Sequence, residues 1–203
     1  MPAYEIAYER RLLEDLYRGR HLVSYKLGQL IPLHADELVL VCRGIVQLGT
    51  VHSNGDEALL GLVGAGVPLG LSLTLLNPYY AKAVTAVDVL RITLDDVERD
   101  PDIAGRLWKP LVQRIRQSEA LLALTGKRRV SDRLHHFLEL LAMEHGQPTE
   151  EGTRLGVRLT HQDIASAIGT TRVTVTRLLN QWRQEGLITL DSQRHLILPQ
   201  HRS

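Results

Sequence analysis

"LTHQDIASAIGTTRVTVTRLLNQWRQEGLI", residues 159–188, holds two apolar runs at helical spacing, joined at a glycine. Ile164, Ala165 and Ile168 share one face of the first run. Val175, Leu178, Leu179 and Trp182 share one face of the second. Thr160 is placed to cap the first helix, with Asp163 three residues on in the capping-box position. Gly169 ends that helix where a left-handed residue is needed, and Thr170 or Thr171 caps the next. Ala165 is small enough to let the second helix cross closely. Two helices joined by a tight, glycine-containing turn make a helix-turn-helix.

The exposed positions of the second helix then acquire a purpose. Arg172 and Arg177 lie within reach of one groove if the helix lies obliquely across it, and the N-terminal residues of a recognition helix meet base edges in the major groove. An arginine fork there matches the O6 and N7 acceptors of guanine, worth about 1–3 kcal/mol of discrimination per bidentate pair. Val173 offers a methyl surface to a thymine methyl. Thr171, Thr174 and Thr176 are placed to donate to phosphates, as are the N–H groups of the helix N-terminus. A solvated surface helix is the competing reading. Against it stands "LITLDSQRHLILP", two short strands around a polar turn directly after the pair, which reads as a wing.

The rest of the chain sets the bounds. Its 203 residues, 44% hydrophobic and 23% charged, suit one large or two small globular domains. The net charge is +1, but it is uneven. From Gly126 onward there are 11 Lys/Arg and 8 Asp/Glu, an excess of +3, against −2 before it. The single Cys42 excludes an intramolecular disulfide and cannot alone hold an iron–sulfur cluster or structural zinc. In "LVLVCRG" it reads as a buried structural thiol rather than a redox sensor. The N-terminus is charged throughout, which argues against a signal peptide. No run reaches the roughly 20 apolar residues of a membrane span, so a cytoplasmic protein is expected.

Residues 4–18, with Ile6, Leu12, Leu13 and Leu16, predict a short amphipathic helix. From about Tyr25 to Thr93, short Val/Leu/Ile-rich runs are punctuated by turn signals at 43–44, 53–56, 64–66 and 77–78. That pattern predicts a small antiparallel β-barrel or roll. After Asp100-Pro101 the period becomes helical. Leu107, Leu111, Ile115, Ser118, Leu122 and Thr125 fall at the spacing of a two-helix seam. A helix packed on its own barrel would use the same positions. Asp132 is placed to cap a further helix ending at Gly146. "QPTEEGTR" reads as a polar loop and "LGVRLT" as a short strand. The fold class is therefore α+β, with no internal repeat and no low-complexity segment.

These features resemble the cyclic-AMP receptor protein/FNR (CRP/FNR) superfamily of bacterial transcription regulators. The resemblance is tight over residues 125–198, and "TTRVTVTRLL" is especially similar to the global nitrogen regulator branch. In the first half, "LVLVCRGIVQL", "NGDEALLGLVGAG" and Gly70 follow the family's glycine-punctuated pattern. The resemblance implies a cupin-like, cyclic-nucleotide-binding-domain-like β-roll over 1–100, a dimerisation helix over 101–126 and a winged helix-turn-helix over 127–203. It implies a homodimer on a palindromic promoter site, with RNA polymerase as a further partner and activation as the expected mode. Base reading falls to Arg172, Val173 and Arg177. Val173 stands where the cyclic-AMP receptor has glutamate, which favours half-sites of a GTA…TAC palindrome. Thr160, His161, Gln162, Thr171 and Thr174 fall at phosphate-contacting places.

The effector cassette departs from the family. In "PLGLSLTLLNPYYAKAV" Leu71 replaces the ribose-binding acid, and no arginine lies between Gly61 and Val89. A buried phosphate without a cation is costly, so cyclic AMP is not expected. The nitrogen branch binds 2-oxoglutarate with a loop arginine that is missing here too, in a loop about three residues shorter. 2-Oxoglutarate stays open as an effector. The candidate pocket comprises Gly70, Leu71, Ser72, Lys82 and Arg128, with Arg129 beside the last. A heme ligand does not stand out, since His21, His34 and His52 read as surface residues, and no metal ligand set is assigned. No catalytic motif occurs: "LHHF" lacks a zinc-protease partner and "VGAGVPLG" is no phosphate loop. The alternative function is a small-molecule-binding β-barrel with an accessory domain that binds DNA non-specifically.

Overall fold

The computed structural model describes residues 20–199, so the expected helix over 4–18 lies outside the described residues. Contacts divide the chain into two units: residues up to His52 with Leu60–Ser118, and Ser53–Leu59 with the chain from Glu119 onward. The division falls inside a helix.

Eight strands come first along the chain: β1 (Val23–Tyr25), β2 (Leu30–Ile31), β3 (Glu37–Arg43), β4 (Val46–Val51), β5 (Glu57–Val63), β6 (Pro68–Leu69), β7 (Tyr80–Ala83) and β8 (Val87–Thr93), all in the first unit except residues 57–59. They form two four-stranded sheets, ordered β1-β8-β3-β6 and β2-β7-β4-β5. The pairings of β1, β3, β6 and β8, and of β2, β4 and β7, are antiparallel. Val39, Val41, Val87 and Val89 pack with Ile31, Val46, Leu48, Ala81 and Ala83 of the second sheet in one core. The intervening residues Leu38, Leu40, Leu90 and Ile92 bury the opposite face against Ile103 and Leu107. This explains why β3 reads as an unbroken apolar run: both of its faces are covered.

Two helices follow, α1 (Leu94–Arg99) and α2 (Pro101–Thr125). The Asp100 carboxylate accepts the N–H groups of Asp102 and Ile103, and Pro101 opens α2 where no donor is needed. Leu107 is only 2% exposed. Burial of that size contributes about 1.5–3 kcal/mol to the roll's own core, which withdraws Leu107 from the expected seam. Leu111 packs against the same cluster. The outward apolar residues of α2 are instead Trp108, Ile115 and Leu122, at 67%, 57% and 70% exposure, two heptads end to end. Ser118 and Thr125 are also exposed.

In the second unit α3 (Val130–His145) buries Leu134, Phe137, Leu138, Leu140 and Leu141. Asp132 does not cap it. Arg129 holds the cap position without a side-chain bond, and Asp132 lies in the first turn, where a carboxylate still favours the helix dipole. The expected loop "QPTEEGTR" is a hairpin, β9 (Gly146–Thr149) and β10 (Gly152–Leu155). Gly152 makes it possible: its φ is 142° and a Cβ there would meet the Leu198 carbonyl oxygen at 2.2 Å. The predicted strand over 155–160 accordingly shrinks to Leu155 as the end of β10. α4 (His161–Ile168), α5 (Arg172–Gln184), β11 (Thr189–Leu190) and β12 (Leu196–Pro199) complete the unit. The wing strands belong to a four-stranded sheet, β11-β12-β10-β9.

Candidate nucleic-acid interface

Local chemistry sets α4 and α5 in place. Thr160 Oγ1 accepts the Asp163 N–H at 3.1 Å, and the Asp163 carboxylate accepts the Thr160 N–H at 2.8 Å, a complete capping box. Gly169 closes α4 at φ 63°, ψ 56°, a conformation that a residue with a Cβ adopts at a cost of about 1–2 kcal/mol. Of the two candidate caps for α5, Thr171 is the one used, accepting the Thr174 N–H at 3.2 Å. Ile164, Ala165 and Ile168 are buried, as are Val175, Leu178 and Leu179. Trp182 is half-buried with its ring edge-on to His135, centroids 6.3 Å apart.

With that stripe buried, Arg172, Val173 and Arg177 are left exposed, Val173 at 77%. Thr160, Gln162 and Thr171 are exposed too, while His161 and Thr174 are partly covered. Thr160, His161, Gln162 and Arg172 line one open depression of about 390 Å³. Thr176 has a different task from the one its position in the sequence implies. Its hydroxyl donates to the Arg172 carbonyl at 2.9 Å and lies 2.7 Å from His161 Nδ1. That contact sets the orientation of the His161 ring. Burial, and then the Arg172 charge, push the His161 pKa below its ordinary value, so the ring is neutral near pH 7.

Two arginines of this unit gave no signal in the sequence. Arg154, on β10, donates to the Asp191 carboxylate at 2.6 Å and to Gln147 at 2.8 Å, and stands 2.7 Å from His195 Nδ1. Asp191 also accepts the N–H groups of Gln193 and His195. Arg154, and then His195, lower its pKa to about 2. The turn between β11 and β12 is thereby fastened to β10. Arg133, in the first turn of α3, bonds only main-chain oxygens among the described residues.

The proposed effector residues are less convergent. Gly70 precedes a single 3-10 turn, Leu71–Leu73, in which Leu71 is half-exposed and Ser72 exposed. Ala81 and Ala83 enter the core, so Lys82 between them lies on the outer face of its sheet. Arg128 belongs to the other unit. A cation does reach the cassette, but from α2: Arg114 donates to Tyr79 Oη at 2.9 Å and to the Pro68 carbonyl at 3.3 Å. A search confined to the loop overlooks it. Cys42 is half-buried, and burial pushes its pKa up to about 11, which keeps the thiol protonated. His21, His34 and His52 are exposed. Among the described residues no helix is long and apolar enough to cross a membrane.

Comparison with known proteins places this geometry in context. Residues 132–202 match the Crp-like helix-turn-helix domain. The regulatory protein CysR of Synechococcus elongatus is 36% identical over 162 residues, covering 78% of this chain and 75% of that protein. The global nitrogen regulator of Synechocystis is 32% identical over 170 residues, covering 79% and 75%. In fold, a crystal structure of a CRP-family transcriptional regulator from Thermus thermophilus superposes with a TM-score of 0.73 at 23% identity, over 87% of this chain and 91% of that one.

Proposed function

The chain belongs to the CRP/FNR family of DNA-binding transcription regulators, with affinity to the nitrogen regulators, and from that premise we propose that it binds a two-fold palindromic promoter site as a homodimer. Residues 1–100 serve as a sensor-like roll, 101–126 as the dimerisation helix and 127–203 as the DNA-reading part. Arg172 and Arg177 read guanines, and Val173 meets a thymine methyl. Thr160, His161, Gln162, Thr171 and Thr174 hold phosphates. The observation that carries this reading is α5 itself. Its buried stripe leaves two arginines and a 77%-exposed valine facing solvent, and a solvated helix has no use for that valine.

For the dimer, the support is the outward row Trp108, Ile115 and Leu122 on α2, flanked by Ser118 and Thr125, with Leu107 excluded. Recruitment of RNA polymerase follows from the family reading, and no reaction of its own is assigned. Cyclic AMP is disfavoured by Leu71 and by the outward Lys82. Arg114 at the cassette favours a small carboxylate such as 2-oxoglutarate as effector.

Selection from a randomised duplex pool with the purified, ligand-free protein tests the reading. Enrichment of a two-fold site related to GTA…TAC supports it. Equal affinity for scrambled duplexes favours the alternative of a ligand-binding barrel with a non-specific accessory domain. If no duplex is retained, repeating the selection with 2-oxoglutarate and then with cyclic AMP tests the dependence on a ligand.

A further inference from the structure

Arg133 spans two stretches of main chain that are remote in sequence. Its Nε donates to the Ile168 carbonyl at 2.7 Å, and Nη2 to the Gly169 carbonyl at 3.3 Å. Its Nη1 donates to the carbonyls of Lys127 at 2.9 Å and Arg128 at 3.4 Å. The first pair is the end of α4 and the turn into α5; Arg172 opens α5 three residues after Gly169. The second pair is the link between α2 and α3. That link is itself tied to the long helix, because the N–H groups of Gly126 and Lys127 return to the carbonyls of Ala123 and Leu124. One planar guanidinium therefore joins the link that follows α2 to the turn that starts the recognition helix.

We propose that Arg133 is a positioning residue that sets the placement of α5 relative to the end of α2. This rests on the dimer reading above. If α2 pairs with a second copy, the clasp fixes the distance between the two recognition helices, and so the half-site spacing the dimer accepts. The side-chain chemistry fits that task. A guanidinium presents its donors in a rigid fork and reaches both carbonyl pairs at once, whereas a lysine ammonium keeps the charge but is a single point on a flexible stem. The positive charge also sits at the C-terminal end of α4, where the helix dipole favours it. A residue needed only to quiet the α4 carbonyls has no reason to engage Lys127 and Arg128.

The test measures binding of the full chain and of Arg133→Lys to three duplexes and to a single half-site, alongside the thermal unfolding of each protein. The duplexes carry GTA and TAC half-sites about 10 base pairs apart, one pair closer and one pair further. The native chain is expected to lose about tenfold in affinity on the misspaced duplexes, and R133K only about twofold. Half-site binding should change little between the two. R133K retaining the native spacing penalty would overturn the proposal. So would an equal loss on all four DNAs, which marks a folding role. R133Q, with a neutral amide, repeats the comparison if R133K is unstable, and unfolding of both variants also overturns it. A native chain indifferent to spacing removes the dimer reading beneath the proposal as well, which separates the two failures.

Discussion

The α4–α5 pair and the cassette around Gly70 handle polarity in opposite ways. In the helix pair every buried position is apolar, and the exposed face concentrates arginine, threonine and one stranded valine. In the roll the strand core is apolar too, but around the cassette the polar candidates Ser72 and Lys82 go outward, beside the exposed Leu75 and Leu76. The cation that bonds into the cassette, Arg114, arrives from α2. The first arrangement presents chemistry to a large external partner. The second presents little to a small internal one. Exposure on a rigid, capped helix is thus a stronger functional signal than the presence of polar residues in a loop.

The contrast is sharpest where a charge is forced into each region. Val175→Asp buries a carboxylate at a fully buried position and should cost at least about 4 kcal/mol, enough to unfold the C-terminal unit. Ser72→Asp, at an exposed position, should leave the thermal transition unmoved. Equal melting of both variants would erase the distinction. Next in size, Arg177→Ala should lower preference for the selected site over scrambled DNA by about 10–100-fold with helical content unchanged. Binding titrations against the two duplexes read this directly. On α2, Leu122→Glu should turn dimer into monomer in sedimentation, while Leu107→Glu should destabilise the roll by about 3 kcal/mol or more. If the two exchange effects, the inward and outward faces of α2 have been misassigned.

A smaller effect comes from acid. The folded pKa of Asp191 is depressed to about 2 from its ordinary 3.8. Its ionised form therefore favours the fastened turn above about pH 4, and that contribution is lost as pH falls towards 2. Amide exchange at Gln193 and His195 should quicken in that window, and Asp191→Asn should remove the dependence. Smallest of all, Lys82→Ala should change DNA affinity by less than about twofold at ordinary salt, since an outward side chain on the roll touches no phosphate. A larger change would bring the cassette back into the binding mechanism.

The helix pair was legible because its signals are local. A threonine with an acid three residues on, a glycine at the turn and a 3.6-residue period each constrain only their neighbours. The two-sheet roll was legible as a class but not as a pairing, since register depends on strands far apart in the chain. "QPTEEGTR" failed as a loop because nothing apolar alternates in it. Its first strand pairs with its second, and the second with β12, which Gly152 permits. Leu107 and Trp108 are adjacent in sequence, and only the roll's own core decides which one turns inward. Arg114, Arg133 and Arg154 look like solvated charges until their carbonyl, phenol and carboxylate partners are in place.

The burial of both faces of β3 has a consequence for alignment. Most strands lose their hydrophobic match when they slip by one residue, but "LVLV" would present apolar side chains to both layers after such a slip. Apolar patterning alone leaves the β3–β8 ladder less decided, and charge adds to its register. Arg43 pairs with Asp88 at 2.7 Å at one end, beside the irregularity between Val41 and Arg43. Arg91 pairs with Glu37 at the other. The two ion pairs work as stitches at either hem of the ladder, and a one-residue slip would unpick both at once.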